Sequence, residues 1–133
     1  MSQRIAIRDA VNAALETLTD YHMAEPGTTD EIDAAKLPSI VVGFAVEPVT
    51  HEMYGGTERQ LDLTVSVVLK NRGDVYAALD QAADDVEGVL GDEKLGGTCD
   101  LFLLSQTQFA LDQEQPLGEV RLVYSATYST DPI

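Results

Sequence analysis

Lysine is scarce in this chain: Lys36, Lys70 and Lys94 are the whole supply. Asp and Glu together number 23 against 8 Lys and Arg, a formal net charge of −15 and a pI near 4.1. A basic patch for DNA or RNA phosphates is therefore excluded as the basis of function. Cys99 is the single cysteine, so no internal disulfide can form, which fits a reducing compartment. No apolar run approaches the roughly 18 residues of a membrane span. The N-terminus leads into an amphipathic pattern without the apolar stretch of a signal peptide. These absences predict a soluble protein, folded in the cytoplasm and making no use of a membrane.

Catalytic chemistry is equally thin. His22 and His51 are the only histidines. His51-Glu52 in a loop lacks the further ligands that a metal site requires. Asp84 and Asp85 are neighbours on a helix, so they diverge instead of sharing a proton. The run "GDEKLGG" has glycines and a lysine but not the spacing that wraps phosphate, and reads as a helix stop followed by a turn. Cys99 opens a predicted strand with no basic group suggested beside it, so it reads as a small buried hydrophobe. No catalytic, cofactor-binding or metal-binding residues are assigned, and an enzyme is not expected.

What is present is pattern. In "ERQLDLTVSVVLKN", Leu61, Leu63, Val65, Val67 and Leu69 fall on every second position, with Gln60, Asp62, Thr64, Ser66 and Lys70 between them. A period of two marks a strand with one buried and one polar face. Ile7, Val11, Leu15 and Leu18 recur at helical spacing and predict a helix over 3–19. Residues 20–38 read as a polar connector. "SIVVGFAVE", 39–47, is a β-branched strand that Pro48 ends, and "PVTHEMYGGT" joins it to the next strand as a long loop. Asp74 caps a second helix with the apolar stripe Val75, Leu79, Ala82 and Val86, and Gly91 stops it. Two further strands, "TCDLFLLSQTQFALD" and "GEVRLVYSATYST", follow around a polar loop.

The order α-β-β-α-β-β predicts an α+β fold: a two-layer domain in which a four-stranded sheet carries two helices on one face. At 133 residues the chain is expected to form a single domain, 1–133. The strand's polar face could meet water, a ligand or another copy of the chain. The length and Met53-Tyr54 content of the His51, Glu52, Met53, Tyr54, Gly55, Gly56 segment suit an assembly loop. Glu58, Arg59, Arg72 and Arg121 are candidate polar contacts between subunits.

The run "RQLDLTVSVVLKN", the helix "VYAALDQAADDVEGVL", the "LGG" turn and the closing "GEVRLVYSATYST" together resemble the tail terminator family of long-tailed bacteriophages. These proteins are also called tail-completion or minor tail protein U-like proteins. The resemblance implies a hexameric ring of this chain that ends tube polymerisation on the major tail tube protein and presents a surface to the head connector or neck protein. It implies a virion location at the head-proximal end of the tail, with assembly in the host cytoplasm and DNA passing through unbound. The acidity would then keep DNA mobile, with Asp80, Asp84, Asp85 and Glu87 as candidate lumen or surface acids. Adaptation to a salt-loving host is a second use for the same acids. Two other classes stay open: an acidic DNA mimic that binds a basic partner, and a small α+β ligand-binding module or enzyme.

Overall fold

The computed structural model describes residues 3–24, 38–45, 47–51, 57–70, 74–92, 94–112 and 117–130. Helix α1 runs over Gln3–Leu15 and strand β1 over His22–Ala24. Strands β2 (Ser39–Phe44), β3 (Val49–His51) and β4 (Thr57–Lys70) follow. Helix α2 covers Val75–Val89, a 3₁₀ turn spans Leu95–Gly97, and β5 (Leu101–Asp112) and β6 (Leu117–Thr130) complete the chain.

The α+β class is as expected, but the strand count is not four. Six strands form one sheet, five of them side by side in the order β1-β2-β4-β6-β5, while β3 pairs with β4 off this path. Two segments read as irregular supply the extra strands. The 20–38 connector contains β1, which pairs in parallel with β2 from His22 opposite Ser39 to Ala24 opposite Val41. The supposed loop after Pro48 contains β3, which pairs antiparallel with β4 from Val49 opposite Arg59 to His51 opposite Thr57. Proline 48 does not end the pairing, because it lies where no N–H is needed and its carbonyl accepts from the Gln60 N–H at 3.1 Å. Strands β2 and β3 thus line the same side of β4 in succession.

Helix α1 buries Ile7, Val11 and Leu15 and stops at Leu15, short of the predicted residue 19. Thr17 there turns its hydroxyl back to the Ala14 carbonyl at 2.6 Å, a local bond that competes with helix continuation. Helix α2 starts as the sequence predicts: the Asp74 carboxylate accepts from the Ala77 N–H at 3.1 Å. Val75, Leu79, Ala82, Ala83 and Val86 face inward from it. Both helices meet the same sheet face, where Leu61, Leu63, Val65 and Val67 of β4 and Val120, Leu122, Tyr124, Ala126 and Tyr128 of β6 complete one core. Leu63, Val65 and Val67 are fully buried, and truncating such a residue to Ala costs about 2–5 kcal/mol. Cys99 is buried, its thiol pushed up by burial and by the Asp100 charge, as befits an inert core residue.

Candidate assembly surface

The polar face of β4 is not left to water alone. On the side away from the helices, Asp62 lies opposite Ser125 of β6 and accepts its hydroxyl at 2.8 Å. Gln60 donates to the same Ser125 oxygen at 3.3 Å. Arg121 points to Glu119 two positions back on its own strand, at 3.0 Å, and lies between Ser66 and Gln108 in the register. Cross-strand polar pairs of this kind hold a two-sided sheet rigid, while the β2 end of this face, with Ser39, Val41 and Val68, is buried. Among the described residues, no helix covers this face.

The charged residues singled out from the sequence do not share one site. Glu58 is exposed on the polar face, opposite Ser129. Arg59 points to the helix side and is engaged within the chain. It donates to Glu47 Oε1 at 2.9 Å, while Arg4 of α1 grips the same carboxylate with Nε at 2.8 Å and Nη2 at 2.7 Å. The Tyr128 hydroxyl donates to Glu47 Oε2 at 2.9 Å. Glu47 thus ties α1, β4 and β6 to the link between β2 and β3. The bonds from Arg4, helped by Arg59 and Tyr128, hold its carboxyl down to about 2 against the opposing pull of burial. Nothing in the periodic pattern of the sequence points to this residue. Its signal is a lone acid at a strand end, with partners brought from positions 4, 59 and 128.

On α2, Asp80, Asp84 and Glu87 are exposed. Asp85 is half-buried and occupied: it accepts the Tyr21 hydroxyl at 2.8 Å and the Gln81 amide at 2.9 Å. Burial, then this carboxylate, pushes the Tyr21 hydroxyl well up. His51 ends β3, whereas Glu52, Met53, Tyr54, Gly55, Gly56 and Arg72 lie outside the described residues. No group of three or more potential metal ligands occurs among the described residues, nor any helix long and apolar enough to cross a membrane.

The sheet edges are what sequence reading passed over. Among the described residues strand β5 is paired only with β6, so its outer side is an edge of the described sheet. Leu101, Leu103 and Phe109 on it are exposed, at 40%, 45% and 47%. Across the sheet, Phe44 and Val49 of the β2–β3 side are exposed at 46% and 40%. Large apolar side chains on both rims of one sheet suit contacts with other protein surfaces.

A family model described as phage minor tail protein U matches residues 2–128. Among solved structures, the chain resembles one from the virion of a native gene transfer agent particle, with 14% identity and a TM-score of 0.56. The likeness covers 93% of this chain and 92% of that one. At that identity it concerns the fold. No curated protein sequence matches.

Proposed function

The chain belongs to the phage minor tail protein U family, and on that premise we propose that it closes the tail tube as a hexameric ring. It is a structural protein of the virion tail and not an enzyme. On the proposed reading, one domain spanning 1–133 stacks on the last ring of tail tube protein, stops its polymerisation and offers the head connector or neck protein a surface at the head-proximal end. The observation that carries this reading is the family match over residues 2–128.

The charge distribution supports a passive channel. Asp80, Asp84 and Glu87 project from α2, and eight basic residues cannot neutralise 23 acids. A ring walled by such acids repels phosphate and leaves DNA mobile. The 51–56 segment, and polar residues such as Glu58 and Arg121, serve on this reading as contacts to neighbours or to the tube. Assembly takes place in the host cytoplasm before the tail joins the head.

Native mass spectrometry and negative-stain microscopy, at high protein concentration and with tail tubes added, test the proposal. A closed six-membered ring seated on tube ends is expected, together with overlong tubes in phage lacking the protein. A strict monomer under all these conditions, absent from purified virions, overturns it.

A further inference from the structure

Strand β5 is twelve residues long and lies at the end of the sheet. Its sequence, "LFLLSQTQFALD", has no charged residue from Leu101 to Leu111 in a chain of net charge −15. Proteins guard edge strands by keeping them short, by lysine or proline, by bulges or by a cover. Among the described residues only a bulge is present here, the register shift between Leu104 and Gln106. Each edge N–H and C=O that points outward from β5 is a directional group that another strand satisfies. The flat apolar side chains Leu103 and Phe109 stand on opposite faces beside it.

We propose that β5 of one copy pairs with the β2–β3 side of the next copy, so that the sheets continue from subunit to subunit. Three observations select this occupant. First, β2 is covered by β1 only from Ser39 to Val41, and no strand among the described residues lies outside Val42–Phe44 or outside β3. Among the described residues this is a second open rim, with Phe44 and Val49 as its exposed apolar residues.

Second, "SIVVGF" of β2 is also uncharged, and Glu47 beyond it is matched by Arg4 and Arg59. Two copies that repel at −15 each can approach where neither presents net charge. Third, the strand directions agree. Strand β6 runs antiparallel to both β4 and β5, while β2 and β3 run antiparallel to β4. Strand β5 therefore runs opposite to β2 and β3. A rotation about an axis along the strands sets β5 antiparallel to the next copy's rim. That contact joins two different patches, the head-to-tail kind that closes rings; β5 pairing with itself would stop at a dimer.

The inference rests on the proposed ring and names its seam. Two double variants test it: L103K/F109K on β5 and F44K/V49K on the opposite rim. All four positions are exposed, so each variant should keep the wild-type melting temperature. Added lysines lower the net negative charge, so lost assembly cannot be assigned to added repulsion.

Sedimentation in molar KCl should show rings for the wild type and monomers for each variant alone. An equal mixture should yield dimers and nothing larger, because one intact rim of each kind remains. Rings from either variant overturn the pairing while leaving the ring itself standing. So does a self-dimer of F44K/V49K, which points to β5 pairing with β5, and so does a purely monomeric mixture. A wild type that stays monomeric both in molar KCl and with tail tubes added, and is absent from purified virions, overturns both the pairing and the ring.

Discussion

Gly118, at the start of β6, lies directly beneath Val75, the first residue of α2: a Cβ on the glycine would sit 2.8 Å from Val75 Cγ2. It would also meet Leu79 Cδ1 at 3.4 Å and Leu111 Cδ2 at 3.5 Å. No side chain larger than hydrogen fits unless Val75 turns or its helix lifts, so the glycine lets α2 pack closely on the sheet. Gly118→Ala should destabilise by about 1–3 kcal/mol, the usual cost of overpacking. Urea titration measures it. A neutral effect would mean that Val75 turns aside without moving the helix.

A buried hydroxyl in the same layer makes a different prediction. Tyr124 stacks flat on Phe102, ring centroids 4.8 Å apart and planes 4° from parallel, yet its hydroxyl has no hydrogen-bond partner among the described residues. Tyr124→Phe keeps the stack and removes the orphan group, so stability at neutral pH should be unchanged or rise by about 1 kcal/mol. Burial, and then the Glu87 charge, push the Tyr124 hydroxyl well up. The fold thus favours the neutral phenol, and that share of stability is complete below the unfolded value of 10.0 and lost as pH rises above it. The variant should consequently resist alkaline unfolding better than wild type. A loss of more than about 1 kcal/mol at neutral pH would show that the hydroxyl finds a partner.

Salt should act on the whole molecule. Four of the five arginines already face Glu47, Asp9 or Glu119 within the chain, which leaves most carboxylates without a cation. The Debye length falls from roughly 30 Å at 0.01 M to 3 Å at 1 M, so added salt removes their mutual repulsion. Melting temperature and assembled fraction should both rise with KCl into the molar range. Differential scanning fluorimetry and sedimentation across a KCl series measure the two, and a flat or falling trend would show that this repulsion is not limiting.

Local pattern and non-local pairing were unequally legible in the sequence. Ile7, Val11 and Leu15, the alternation from Leu61 to Leu69, and the Asp74 cap are each specified within one element, and each folds as read. Strand β1 is three residues long, too short to show a period, and exists because β2 lies beside it. Strand β3 was hidden by Pro48, whose breaking effect vanishes where its missing N–H is not required. The open rims were invisible for another reason: β5 reads like any strand until the sheet order leaves it last. Glu47 gathers residues from three remote positions, and no spacing rule connects them.

That carboxylate yields the sharpest pH test. Glu47 is only 12% exposed and receives bonds from Arg4, Arg59 and Tyr128. Its folded-state value of about 2 lies below the ordinary 4.5. A depressed carboxyl stabilises the fold fully above the unfolded value, and that share is lost as pH falls from about 4.5 through about 2. Acid also relieves repulsion among the other carboxylates, so the wild-type curve alone mixes two opposing effects. The difference between wild type and Glu47→Gln separates them, because both proteins share every other acid. At pH 7 the glutamine variant should be less stable by about 2 kcal/mol, since it loses charged bonds from Arg4 and Arg59, whose partial exposure lets water solvate them. Tyr128→Phe, which removes one bond from the same cluster, should cost about 1 kcal/mol. The gap between wild type and Glu47→Gln should stay level down to about pH 5, then close toward pH 2. Denaturant titrations at fixed pH steps measure it. A gap that is independent of pH would mean that Glu47 holds the link between β2 and β3 by shape and hydrogen bonding, without its charge.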